Sequence, residues 1–170
     1  AASGFEQRDG ALMDKAGNAV KFTVMTNAEN ANRVGMLNVI KDDLSKLGVK
    51  MTIRPVPFND LVQVLRGTRD YDAILLGWGS AIPPDPAQSK NVMLSSGRSH
   101  YWHSEQAEPS TPWEKRINEL VFENTKATDF ATRKKASDEL LTIFSDEQPQ
   151  IQLVVQHAFA AARRNVGNFE

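Results

Sequence analysis

Cysteine is absent from all 170 residues, which removes disulfides, thiolate metal sites and cysteine nucleophiles in one step. The absence leaves the compartment open, because cysteine-free chains occur both inside and outside cells. An excess of charge of one sign is missing too. The 20 Lys and Arg nearly balance the 21 Asp and Glu and are scattered, so nothing marks an electrostatic footprint for nucleic acid or an anionic membrane surface. No apolar run approaches the ~20 residues that cross a bilayer. The opening residues lack the basic and apolar regions of a signal peptide. Finally, no G-x-G-x-x-G follows a strand and no G-x-x-x-x-G-K-[ST] occurs, so the phosphate-cradling loops of nucleotide enzymes are not written into the chain.

What remains is a length that suits one domain with a substantial core and a clear alternation of periods. The first 20 residues, with Gly4, Gly10 and Gly17, predict an irregular or hairpin-like lead-in. "VKFTVMTN", residues 20 to 27, alternates Val20, Phe22 and Val24 with polar neighbours and predicts a strand ending at Asn27. Val34, Leu37, Ile40, Leu44 and Leu47 then recur at helical spacing, and Gly48 supplies the stop. "VKMTIRPVP" predicts a second strand, closed by Pro55 and Pro57. Asn59 is the expected cap of a short helix that turns Leu61 and Leu65 inward and ends near Gly67.

The unbroken run Ala73 to Leu76 suits a central strand covered by helices on both faces. Strand, helix, strand, helix, strand makes a βαβαβ unit, whose right-handed crossovers imply an α/β fold with a mostly parallel sheet. Residues 79 to 110 hold four of the prolines, Pro83, Pro84, Pro86 and Pro109, without sustained period. They predict a long loop region, and loops of that length in a compact domain are commonly functional. "STPWEKRINELVF" restarts with Thr111 as N-cap, Pro112 at the first helical position and Glu114 closing a capping box. A second helix follows, capped by Thr128 or Asp129, with Ala136, Leu140, Ile143 and Phe144 inward and Pro149 beyond its end. "IQLVV" predicts a further strand, and "QHAFAAARRNVGNFE" has no clear reading.

In open α/β sheets ligands gather outside the carboxyl ends of the strands. Three such ends are expected here, after Asn27, at Pro55 to Asn59, and at Gly77 to Ala81. Trp78 between Gly77 and Gly79 has two readings: a core aromatic closing a strand, or a flat wall beside a backbone that a ligand can approach. "HYWH" separates His100 and His103 by three residues. With Asp85 they form the one arrangement from which a stand-alone metal-dependent hydrolytic enzyme would be argued, although no H-E-x-x-H is present. Ser95 and Ser96 lie outside any G-x-S-x-G elbow. The "RKK" at 133 to 135 reads as a solvated helix face.

The order of these segments resembles a known family. "VKFTVMTN…NRVGMLNVIKDDLSKLGVKMTIRPVPFNDLVQVLRGTRDYDAILLGWG", the "LSSG" beyond its proline loop, "RKKASDELLTIFSDEQPQIQLV" and "AARRNVGNF" are similar to the C-terminal lobe of extracellular solute-binding proteins of family 5, the peptide- and nickel-binding subunits of ABC importers. The resemblance implies one lobe, residues 1 to 170, of a larger periplasmic-binding-protein architecture of type II. It would be periplasmic or extracellular, closing with an absent N-terminal lobe on a small solute and delivering it to a membrane permease. Any leader or membrane attachment would lie in the absent part, and no enzymatic activity, metal or cofactor is implied. Ligand contacts are expected from Asn27, Trp78, Gly79, Ser80 and Ala81. In peptide-binding members an Asp three residues after the Trp pairs with the peptide's α-ammonium group. Ala81 stands at that position here, and a buried ammonium without a counter-charge is strongly disfavoured.

Overall fold

A computed structural model describes residues 4–79 and 85–155, which fall into two compact units divided between Gln88 and Ser89. The first unit begins with an antiparallel hairpin, β1 (Glu6–Arg8) and β2 (Ala11–Met13), turning through Asp9 and Gly10, both at positive φ. It continues as β3 (Lys21–Asn27), α1 (Ala31–Lys46), β4 (Lys50–Val56), α2 (Phe58–Gln63) and β5 (Ala73–Ile74). The three later strands form one parallel sheet in the order β4-β3-β5. This is the expected βαβαβ unit. The chain steps from β3 to β4 in one direction and from β4 past β3 to β5 in the other, so right-handed crossovers carry α1 and α2 to opposite faces.

Period-two alternation sorts the side chains of this sheet. Phe22, Val24, Met51, Ile53, Ala73 and Leu75 pack with Leu37, Ile40 and Leu44 of α1, while Met25, 2% exposed, alternates to the other face, where α2 packs against β3. Leu61 and Leu65 are buried as expected. Leu47, however, is 60% exposed: it lies one residue past the end of α1, where the helical face no longer continues. Gly48 turns the chain at φ +80°, and its carbonyl accepts a hydrogen bond from Leu12 N at 2.8 Å, tying the hairpin to the end of α1.

Three expectations change here. The run Ala73 to Leu76 does not form a central strand. Only Ala73 and Ile74 join the ladder, at an edge of the sheet among the described residues, and β3 is the middle strand. All four residues of the run are half-buried, so their apolar character comes from packing rather than from central placement. Pro55 lies inside β4 instead of closing it, which an edge strand tolerates because its missing N–H faces away from the ladder. Asn59 is not the cap of α2: Pro57 occupies that position, and a π turn, Val64–Thr68, continues the helix past Leu65.

The second unit holds a 3-10 turn (Pro86–Ser89) running into α3 (Lys90–Met93), then α4 (Pro112–Lys126) and α5 (Phe130–Glu147). The stretch expected as a long loop, 79 to 110, is therefore interrupted by two short helical turns. Residues 80–84 lie outside the described residues. The capping box of α4 is complete: Glu114 N donates to Thr111 Oγ1 at 3.2 Å, and Thr111 N donates to Glu114 Oε2 at 3.0 Å. Asp129, not Thr128, caps α5, accepting from Thr132 N at 2.8 Å. Between α4 and α5 a short connection makes an αα-hairpin, and the two share a core of Ile117, Leu120, Val121, Ala136, Leu140 and Phe144, with Met93, Leu94, Trp102, Trp113 and Ile143 around it. The predicted strand over 151 to 155 joins no ladder among the described residues, and Ile151, Val154 and Val155 are 81%, 72% and 91% exposed.

Candidate functional site

The sheet order fixes where a ligand crevice opens in the first unit. Successive crossovers leave β3 in opposite directions, so the ends of β3 and β5 flank a topological switch point. The end of β3 is Asn27, 8% exposed, and α1 begins three residues later. Asn30 caps that helix by accepting from Arg33 N at 3.0 Å. Across the switch point, Leu75 N donates to Met25 O at 2.9 Å and Thr26 Oγ1 donates to Leu75 O at 3.0 Å. The chain after β5 is thereby carried along β3 as far as Leu75, and then runs free of the ladder through Gly77, Trp78 and Gly79.

Arg33 spans the gap between these two ends. Its Nη1 donates to Asn27 Oδ1 at 2.7 Å. Its Nη2 lies where a side chain on Gly77 would begin, 2.6 Å from the position a Cβ there would take. Glu29 sits beside them and accepts from Phe58 N at 3.0 Å, covering an otherwise unpaired donor at the start of α2. Hydrogen bonds from its own backbone N–H and from Phe58, with the Asn27 side chain adding to them, hold the Glu29 carboxyl below the usual carboxylate range. The rim thus combines an amide, a guanidinium, a carboxylate and a half-exposed indole, since Trp78 is 47% exposed and so is not a core residue. Such a surface orients polar groups of a solute and offers a flat apolar wall.

Of the residues expected from sequence, Asn27 and the Gly77 to Gly79 turn are brought to one switch point. Ser80 and Ala81 lie outside the described residues. Arg33 and Glu29 were not anticipated. The signal for Arg33 was its position: a basic side chain at the third residue of a helix opposes the helix dipole, which asks for another partner.

His100 and His103 are placed differently from the metal-site expectation. His100 is wholly buried, with Nδ1 2.8 Å from Val92 O and Nε2 3.1 Å from Glu114 Oε1. Both ring nitrogens are therefore engaged within the second unit, and the two hydrogen bonds coexist when both nitrogens carry protons. His103 Nδ1 faces Ser110 Oγ at 3.0 Å. Among the described residues no three His, Cys, Asp or Glu side chains converge as a metal site would require. Burial pushes the Glu114 carboxyl up, but hydrogen bonds from Gln106, His100 and Thr111 outweigh it and bring it to about 2. This cluster is a structural pin, holding the 95 to 111 segment on α4.

Comparison with known proteins places the chain. Residues 1–101 match the bacterial extracellular solute-binding proteins, family 5 (middle). A probable ABC transporter-binding protein of Deinococcus radiodurans is 31% identical over 157 residues, covering 87% of this chain and 26% of that protein. Among solved structures, the oligopeptide-binding protein AppA of Bacillus subtilis, in complex with a nonapeptide, superimposes with a TM-score of 0.68 at 22% identity over 87% of this chain and 28% of its own. The periplasmic binding protein MelB of Agrobacterium fabrum, in complex with stachyose, gives 0.73 at 18% identity over 87% and 23%. The chain thus spans about a quarter of the length of the proteins it matches, and its α/β fold is that of a periplasmic-binding-protein lobe. Proteins of this kind are periplasmic or extracellular. The chain belongs to the bacterial extracellular solute-binding proteins of family 5.

Proposed function

We propose that residues 1 to 170 form one ligand-binding lobe, the C-terminal one, of an ABC importer's solute-binding protein. It captures a peptide or similar small solute by closing against the N-terminal lobe of the same parent and hands it to a membrane permease. The parent is held at the membrane through its N-terminal part. Asn27, Trp78, Gly79, Ser80 and Ala81 line the crevice, with the 79 to 110 region forming its outer wall. The observation that supports this reading most directly is the switch point between β3 and β5, where Asn27 and the Gly77–Trp78–Gly79 turn meet around Arg33. Brackets of this kind bind by hinge closure, so half of the contacts come from the other lobe. The relatives' ligands, a nonapeptide and stachyose, share a demand for many polar contacts, and Ala81 leaves no carboxylate at the position that pairs with a peptide ammonium in peptide-binding members. A solute without a free α-ammonium at that point fits best.

The test is mass spectrometry of material co-purifying with the two-lobed parent, alongside calorimetry of the 170-residue chain with mixed tri- to nonapeptides. The expected result is a retained solute on the parent and no measurable heat from the isolated lobe. Micromolar binding of peptide by the lobe alone would overturn the two-lobe requirement, and a peptide with a free N-terminus on the parent would overturn the argument from Ala81.

A further inference from the structure

We infer that Arg33 is a positioning residue that holds the Trp78 wall in place by bridging Asn27 to the Gly77 backbone. Three observations carry this. The guanidinium is anchored at one nitrogen, Nη1, on Asn27 Oδ1 at 2.7 Å, and Asn27 is itself buried at the last position of the middle strand. Its other terminal nitrogen occupies the space a side chain at Gly77 would need. Gly77 has an ordinary backbone, since it is not among the glycines at positive φ, so its lack of a Cβ answers to the guanidinium and not to a turn. Trp78 is the next residue, and it is attached to a β5 only two residues long. Beyond Leu75 the ladder offers this segment nothing more, and the bridge from Arg33 takes over its role.

A planar guanidinium suits the task because its donors are fixed in one plane, so that anchoring one side orients the other. A lysine ammonium is a single point that reaches Asn27 or Gly77 but cannot brace both. The cost of placing a positive charge in the first turn of α1 is consistent with a function for it there. An added Cβ on Gly77 collides with the far end of a flexible side chain, so the easiest relief is displacement of the guanidinium from Asn27 and not unfolding of the sheet.

This inference rests on the reading of Trp78 as a crevice wall, and its test needs no solute, so the two fail separately. The chain is labelled with 5-fluorotryptophan and its three tryptophans are followed by fluorine NMR, with Trp78→Phe assigning the wall and the Trp102 and Trp113 signals serving as controls in the other unit. In Arg33→Ala and Asn27→Ala the Trp78 resonance is expected to move and its solvent isotope shift to increase, with the two controls unchanged. Arg33→Lys is expected to behave as Arg33→Ala does. Gly77→Ala is expected to move the Trp78 signal in the parent background and to have no further effect when Arg33 is already Ala, because its clash partner is gone. A stationary Trp78 signal in Arg33→Ala, or a Gly77→Ala effect of equal size in both backgrounds, would overturn the inference. If Arg33→Ala fails to fold, Gly77→Ala alone decides, since an unmoved Trp78 there leaves the bridge without a role.

Discussion

His100 Nε2 lies 3.1 Å from Glu114 Oε1, with the histidine wholly buried and the glutamate 2% exposed. A buried pair of this kind is costly to break from one side, because the remaining charge is stranded away from water. His100→Ala is expected to destabilise the second unit by about 3–5 kcal/mol, read as a lower denaturant midpoint. A cost under about 1 kcal/mol would mean that water replaces the imidazole freely.

Glu114 gives that pair a pH dependence with a definite sign. Its carboxyl titrates at about 2 in the fold against a usual value of 4.5, so the unfolded chain takes up the proton first as pH falls. The stabilisation is complete above pH ~4.5 and is lost as pH drops toward ~2, a contribution of roughly 3 kcal/mol. Glu114→Gln should be less stable at neutral pH and should show a shallower acid limb than the parent in melts recorded across that window.

The capping box of α4 predicts a smaller, local effect. Thr111→Ala removes the hydroxyl that accepts from Glu114 N and should cost about 1 kcal/mol. Hydrogen exchange should quicken in the first turn of α4 and leave α5 unchanged.

Gly48→Ala should be far more severe than its size suggests. The residue sits at φ +80°, and an added Cβ would meet Leu12 N at 2.7 Å and Gly10 O at 2.9 Å, both backbone atoms that cannot swing aside. The expected loss exceeds the roughly 1 kcal/mol of left-handed strain alone, and it should detach the β1–β2 hairpin, detected as increased proteolysis around Asp9 and Gly10.

Equimolar zinc should leave the melting temperature unchanged, because the imidazole of His100 is occupied on both nitrogens. A stabilising shift that chelator reverses would revive the metal-enzyme reading.

How far these features were legible depends on how local their causes are. The Thr111–Glu114 box and the Gly48 stop were readable because a few neighbouring residues determine them. So were the faces of α1 and α4, whose period is internal to one helix. The place of Ala73 to Leu76 was not: an apolar run records burial, and burial does not distinguish a central strand from a short edge strand lying over a helix. Asn27 was found because strand ends in this topology are informative. Arg33 was missed because its meaning depends on Gly77, 44 positions away, and on a sheet order that no single segment encodes. His100 was misjudged for a related reason, since the partner that occupies it is Glu114, which the sequence marks only as part of a helix cap.

The two-residue length of β5 has a consequence for descent as well as for shape. A wall hung from so short a ladder shares few bonds with the sheet beneath it, so substitutions after Leu75 alter what the crevice accepts without disturbing β3 and β4. A lineage built on this arrangement can exchange one cargo for another by editing a handful of codons, while the scaffold that carries them is inherited intact.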